Sequence, residues 1–454
     1  MNEATQSENK PEQRLDLFRE ALKKGKNQHI WKMLSELLPA ETAHILESLP
    51  SAERQFVWKM VNPDDEGEIL LYVNDEVRAG LIKGMDNAEL IAATDGMDVD
   101  DLADLLSDLP DIVIKEVLNS MDKLDRHRLE SVLSYPEDSA GGLMDTDTVT
   151  VRADVTLDVV LRYLRLRGEL PAFTDKMIVV NRFDMYLGTL ELSRILTSDP
   201  GLTVAEVMNT EIEPIPVAMA AHEVAHLFEK RDLVSSPVVS EDNRLIGRIT
   251  IDDVVDVIRD EGDHSLMSMA GMHEEDDMFA PVIHSAKRRA IWLGINLLTA
   301  FLAAWVIGLF QGTLEKVVAL AVLMPIAASM GGIAGTQTLT LVIRGMALGQ
   351  IGKSNSKWLL YKEAAVGALN GLVWALVVAA VAIFWFHDLM IGVFIAAAML
   401  INLVFAAIAG FSIPMLLKKI NIDPALAGSV ILTTITDVIG YIAFLGMASL
   451  YFIK

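Results

Sequence analysis

Apolar residues follow two different spacings before this chain turns almost wholly hydrophobic. From residue 15 to about 134 they recur every three or four positions in short blocks. Examples are Leu34, Leu37 and Leu38, then Ile45, Leu46 and Leu49, then Leu102, Leu105, Leu106 and Leu109. Pro39, Pro50, Pro63, Gly84, Gly96 and Pro110 interrupt the blocks. This pattern predicts a stack of short helices in which each borrows its core from its neighbours. An ordinary helical bundle satisfies the same spacing.

From Ser139 the pattern changes to short β-rich runs that alternate with helices. Runs at 148–151, 177–180 and 188–190 enclose a helix over Leu157 to Arg167. Runs at 215–217, 236–239 and 245–250 enclose a second helix over Glu223 to Arg231. One β-α-β-β-α plan is thus used twice, about 65 residues apart. Between the copies Thr203-Val204-Ala205-Glu206 reads as a capping box. Residues 257–285 follow as an acidic, amphipathic connection in which Val257, Ile258, Leu266, Met267 and Met269 line one face. Its run His273-Glu274-Glu275-Asp276-Asp277 suits a solvated turn, or a cation site at a membrane mouth.

Five apolar segments follow, roughly 290–311, 317–343, 364–386, 389–417 and 424–453. Each reaches the length of about 20 residues that crosses a bilayer. Lys287, Arg288 and Arg289 precede the first, Arg344, Lys353, Lys357 and Lys362 separate the second from the third, and Lys418 and Lys419 precede the fifth. The opposite flanks hold only Lys316 and Lys454. This bias predicts cytoplasmic N-terminal domains and a C-terminus outside.

Composition sharpens the division. Of 62 acids only Glu315, Glu363, Asp388, Asp423 and Asp437 follow Ala286, against eleven of the 38 Lys and Arg, so a +6 membrane part follows a −30 soluble part. Such acidity excludes nucleic acid as a partner, since phosphates need Lys and Arg. It suits a surface that meets cations, and it also suits solubility alone. With no cysteine there is no disulfide and no thiolate metal site. Residues 1–11 are polar, without the apolar core of a cleaved signal.

Asp437 is the one acid in the last apolar segment. A carboxylate at that depth is costly and marks an ion or proton site by default, although an Asp can also simply bond a neighbouring helix. Small and hydroxyl residues accompany it: Gly428, Ser429, Thr433, Thr434 and Thr436. The second segment holds Pro325, then Gly331, Gly332 and Gln337. Pro and paired Gly free carbonyls that only protein or water can satisfy, which suits a pore lining; glycine for helix contact is the alternative. The spans contain neither His nor Cys, against selection for zinc or copper. We find no Walker loop, nucleophile elbow or His/Cys triad, so an enzyme or ATP-driven pump is not expected.

The duplicated unit resembles a tandem pair of CBS domains. Their nucleotide signature is a Gly, a strand and then Thr-x-x-Asp, met here by Gly247, Thr250 and Asp253. The first unit has Gly188 and Thr189 but Arg194 where the Asp would fall. ATP at the pair therefore rests on half a pattern, and Asp253 as a simple helix start is the alternative. Along nearly its whole length the chain resembles the MgtE family of magnesium channels. Four features carry the resemblance: the helical region ending in Tyr135-Pro136-Glu137-Asp138-Ser139-Ala140-Gly141-Gly142-Leu143-Met144, the CBS pair, five spans, and Asp423-Pro424-Ala425 followed by Thr434-Ile435-Thr436-Asp437.

The resemblance implies a multidomain membrane protein. Its parts would be a disordered tail (1–14), a cytosolic α-superhelical N domain (15–138), two α+β CBS domains (139–202 and 203–262), a connecting plug helix (263–285) and a five-helix transmembrane domain (286–454). It implies a homodimer in the inner (plasma) membrane, with Mg²⁺ both transported and regulatory. Asp437 and the main-chain carbonyl of Thr433 would hold a hydrated Mg²⁺, with Gly331, Gly332, Gln337, Ser429 and Thr436 lining the pore. Regulatory Mg²⁺ would be sensed by Glu68, Asp100, Asp104, Asp232, Asp253, Asp256 and Glu261. Ala220, His222, His264 and Ser265 fall where the family often has acids, so the switch should weaken or move to higher Mg²⁺; Ile333 falls where the family has Asn, which removes one polar pore contact. A coupled divalent-cation carrier (Mg²⁺, Co²⁺ or Mn²⁺) and a CBS-based sensor without transport are the competing readings.

Overall fold

The computed structural model describes residues 10–452 except 95, 96, 98, 108, 110, 122, 274, 275, 353 and 421. The tail expected at 1–14 lies mostly outside the described residues. The chain forms two compact units: residues 1–262 with 275–281, and residues 263–274 with 282–454.

Among the described residues the first unit opens with ten short helices: α1 (Lys10–Lys23), α2 (Asn27–Leu34), α3 (Pro39–Glu47), α4 (Ser51–Trp58), α5 (Pro63–Tyr72), α6 (Asp75–Ile82), α7 (Asn87–Ala93), α8 (Val99–Ser107), α9 (Asp111–Ser120) and α10 (Lys123–Val132). Local chemistry starts several of them. Pro39 and Pro63 open α3 and α5, where a missing N–H costs nothing. Asn74 caps α6 by accepting from Val77 N at 2.9 Å. Asp86 and Glu89 cap α7 reciprocally. Leu46, Leu49, Leu105 and Leu106 are fully buried, as their spacing predicts. Leu38 departs from it: it is 68% exposed, because it sits outside α3 as its N-cap, where helical spacing no longer governs direction.

Two three-stranded sheets follow. In the first, β1 (Thr150–Arg152) runs parallel to β2 (Lys176–Val180), which pairs antiparallel with β3 (Tyr186–Glu191). Helices α11 (Leu157–Arg167), α12 (Leu192–Thr197) and α13 (Val204–Val207) accompany it. Thr203 and Glu206 form the expected capping box of α13. The second sheet repeats the plan with β4 (Ile215–Pro216), β5 (Ser235–Val239) and β6 (Leu245–Thr250) around α14 (Ala221–Arg231). Both sheets shift register at matching points, Val179/Val180 and Val238/Val239. The matching hairpins meet through Ile178, Val180, Tyr186, Val239 and Leu245.

Residues 139–145 cross from α10 to the second sheet. Ala140 N donates to Met219 O at 2.7 Å, and Asp145 and Arg248 exchange main-chain bonds of 2.8 Å. Gly141 and Gly142 permit this, since a Cβ would stand 2.5 Å from the Tyr135 ring or from the Glu137 carbonyl respectively. The helical region and the second sheet consequently share one core, in which Leu129, Met144, Phe228 and Ile249 all take part.

α15 (Ile251–Met269) runs unbroken past residue 262. The acidic run beyond it is not wholly solvated. Asp277 is buried in the first unit, its Oδ2 accepting from Arg54 Nη2 at 2.8 Å while its N–H donates to Glu76 at 2.7 Å. Arg54 also donates to the Leu46 and Leu49 carbonyls.

In the second unit, α16 (Val282–Gly308), α18 (Val318–Ala347), α19 (Ser356–Phe386), α20 (Leu389–Lys419) and α21 (Pro424–Phe452) are each long and apolar enough to span a membrane, and α17 (Gln311–Lys316) links the first two. α20 is the most enclosed. Glycine brings its neighbours close: a Cβ at Gly410 would stand 2.6 Å from the Gly335 carbonyl of α18, and one at Gly367 of α19 2.8 Å from the Leu403 carbonyl.

Removing either partner of the Arg54–Asp277 pair leaves a buried charge alone, which costs about 3–5 kcal/mol. Asp277→Ala and Arg54→Ala are each expected to speed hydrogen exchange across α3 and α4. Unchanged protection in both would contradict the pairing.

Candidate functional site

α21 sorts its polar residues by rotation. Residues four apart lie nearly above one another on a helix. Gly428, Leu432, Thr436, Gly440, Phe444 and Ala448 make one buried stripe. One residue on, about 100° around the axis, Ser429, Thr433, Asp437 and Tyr441 make a second stripe that reaches the surface of the chain. There Thr433 is exposed and Asp437 partly so. Thr436, expected in the pore lining, is fully buried and donates to the Thr433 carbonyl at 3.0 Å. The Thr433 hydroxyl donates to the Ser429 carbonyl at 2.9 Å. That bond uses the hydroxyl hydrogen and leaves oxygen lone pairs for a cation or its waters. Asp423 starts the helix by accepting from Ala425 N and Leu426 N at 2.9 and 3.1 Å.

α18 stays helical through Pro325 and the paired glycines. Gln337 is exposed and Gly332 partly so, whereas Gly331 is buried against Asn402 of α20. Asn402 donates to the Ala327 carbonyl at 2.8 Å, so a polar group from another span does meet this stretch of backbone. Glu363 of α19 is buried too, with the Thr338 hydroxyl of α18 at 3.2 Å and Lys362 at 2.6 Å. Sequence reading missed Asn402 and treated Glu363 only as a charge. The available signal was a lone amide or acid inside an apolar run.

The C-terminal end of α15 meets the same face of α21. A cleft of about 100 Å³ is lined by Met269, Ala270, Gly271, Trp292, Asn296, Ser429, Val430 and Thr433. The Thr340 hydroxyl lies 3.9 Å from the Met269 sulfur. His264, where an acid was expected, places Nε2 3.4 Å from Asp423 Oδ2; Ser265 is partly buried on the same helix.

In the first unit several expected sensor acids converge, drawn from α5, α8 and the start of α15. Burial pushes Asp253 up to about 7, with Asp252 and Asp101 adding repulsion and bonds from Thr250 opposing. Asp104 keeps an exposed edge, yet desolvation raises it to about 6; Arg78 opposes, and Glu137, Asp75 and Asp256 add to the rise. Burial, then Glu68, Asp101, Asp256 and Asp252, raise the Tyr72 hydroxyl. Among the described residues no three acids or histidines close into a chelating group. Asp232 is exposed in the left-handed C-cap of α14, and Glu261 lies further along α15. The Asp100 side chain lies outside the described residues. Ala220 is the N-cap of α14, and His222 is exposed.

The nucleotide signature is turned inward. Asp253 Oδ2 accepts from Thr250 N and Oγ1 at 3.2 and 3.1 Å, and a Cβ at Gly247 would stand 2.7 Å from the Asp145 carbonyl. These residues form a helix start packed against a neighbouring segment.

Family models agree with this assembly of parts. That of MgtE divalent cation transporters matches residues 324–447, that of the MgtE intracellular N domain residues 37–138, and that of the CBS domain residues 204–260. The magnesium transporter MgtE of Bacillus subtilis is 27% identical over 430 residues, covering 95% of each chain. That of Thermus thermophilus is 29% identical over 438 residues, covering 95% of this chain and 97% of its own. A crystal structure of the cytosolic domain of the Mg²⁺ channel MgtE in complex with ATP is 30% identical with a TM-score of 0.48, covering 53% of this chain and 98% of that one. With family models matching its helical N domain, its second CBS unit and its span region, and two magnesium transporters aligned over 95% of its length, the chain belongs to the MgtE family of magnesium transporters.

Proposed function

We propose that this chain is a Mg²⁺-selective, channel-like importer of the plasma (inner) membrane, working as a homodimer and closed by cytosolic Mg²⁺. One observation carries the reading: the stripe Ser429, Thr433 and Asp437, held at the surface of the subunit beside a buried stripe of small and apolar residues. A second copy across a twofold axis would bring two such stripes together. Two carboxylates then match one divalent charge, and hydroxyls and carbonyls meet its waters. Mg²⁺ favours this, because it sheds water reluctantly and needs a wide ring of few carboxylates. An inside-negative potential drives entry, at about 2.3 kcal/mol per charge per 100 mV. The basic flanks on one side of the spans support cytoplasmic N-terminal domains and an external C-terminus.

Closure follows from the acids of the first unit and the end of α15. Without a cation, Asp101, Asp104, Asp252, Asp253 and Asp256 repel one another; Mg²⁺ screens them and steadies the start of α15. The far end of that helix, Met269 to Gly271, lies against Ser429 and Thr433, where it would obstruct the ion path. ATP, present with the solved cytosolic domain, would bear on Thr250 and Asp253, which already bond each other. No step here passes through a nucleotide.

Asp437→Ala is expected to abolish Mg²⁺ entry into vesicles containing the purified protein, read with an internal Mg²⁺ dye. Wild-type flux in that variant would end the pore assignment. The raised acids give closure a pH dependence. Asp253 and Asp104 bind protons more tightly in the packed unit than apart, so packing is firm at low pH and weakens as pH rises through 6 to 7. In chelator, proteolysis of the full-length protein near α15 is expected to quicken between about pH 5.5 and about pH 8, and Mg²⁺ should remove the difference. Equal rates at both pH values would contradict the repulsion.

A further inference from the structure

Asn402 is fully enclosed in α20, and the amide touches two other spans. Its Nδ2 donates to Ala327 of α18 at 2.8 Å. A Cβ at Gly331 of α18 would stand 2.2 Å from that nitrogen, and one at Gly440 of α21 would stand 2.8 Å from it. The amide is a wedge that fits only because both facing positions are glycine. Its donor end is fixed by the Ala327 carbonyl, and its Oδ1 has no hydrogen-bond partner among the described residues. Leaving a buried acceptor unpaired lowers stability. An apolar residue of the same shape would pack the position without that cost, so stability alone does not account for an amide here.

Gly440 lies one turn beyond Asp437, on the buried stripe that also contains Thr436. Whatever seats Gly440 therefore sets the rotation of α21 about its axis, and with it the direction in which Asp437 points. A turn of one residue, about 100°, would exchange the polar stripe for the buried one. We propose that Asn402 is a positioning residue for ion passage, locking α21 to α18 so that Ser429, Thr433 and Asp437 face the ion path. The inference rests on the reading of Asp437 as an ion ligand.

The chain has no cysteine, so single cysteines report rotation directly. In the full-length protein in vesicles, Thr433→Cys is expected to react with a water-soluble thiol reagent at least about tenfold faster than Thr436→Cys, a difference of about 1.4 kcal/mol in barrier. Adding Asn402→Ala should collapse that contrast, and in the otherwise native chain it should lower the Mg²⁺-to-Ca²⁺ flux ratio per folded molecule. If Asn402→Ala does not fold, Gly440→Ala, which pushes a methyl against the same amide, should do both. A purely structural role would reduce the yield of folded protein while contrast and flux ratio stayed at parent values, and that result overturns the proposal. A parent protein that moves no Mg²⁺ removes the reading beneath it, and so overturns it too.

Discussion

A carboxylate on a membrane-spanning helix must be wetted or paired, because hydrocarbon offers it neither water nor counter-charge. Among the described residues Asp437 has no salt bridge or hydrogen bond, and it occupies the partly exposed stripe of α21. Everything around it serves to keep that stripe where it is. Glycines at 335, 410 and 367 draw α18, α19 and α20 together, and α20 fills the centre so that α21 can be buried on one side only. Packing of this kind comes from close contact between backbones, since lipid tails are as apolar as the spans themselves. The consequence is a helix with a firmly seated back and a polar front.

The cytosolic unit works by the opposite principle. Burial raises Asp253 and Asp104, and neighbouring acids add a smaller repulsion. In the proposed function protons or a divalent cation would relieve such a unit, and their removal would strain it. Two connections lead from it toward the membrane helices. One is α15, which begins among the acids and continues to Met269. The other is the stretch around Asp277, clamped to Arg54 only a few residues before α16 begins at Val282. His264 of α15 stands beside Asp423 at the start of α21, its Nε2 3.4 Å from a carboxylate oxygen.

Local periodicity made much of the architecture legible. The three-four spacing of Leu46, Leu49, Leu105 and Leu106 located the helical core, and the switch to β-rich runs located both sheets. Asp437 stood out because one charge in an apolar run needs no partner to be noticed. What stayed hidden depends on residues far apart in sequence. Asn402 acquires meaning only from Gly331 and Gly440, which lie on two other helices. Asp277 looked like part of a solvated acidic turn until Arg54, more than two hundred positions earlier, was seen to enclose it. The close approach of the Asp145 carbonyl to Gly247 was likewise invisible, because the two lie about a hundred positions apart. Thr436 shared a motif with Asp437, yet one step of helical rotation buried it.

The central claim is that the Asp437 carboxylate borders an ion path shared by two subunits. Locating Mn²⁺ by its anomalous scattering in crystals of the full-length protein tests this directly. The account predicts an ion on a twofold axis between two Asp437 side chains, with water filling the rest of its coordination shell. Asp437 shut into a dry contact between helices, remote from any axis and from any ion, would contradict it.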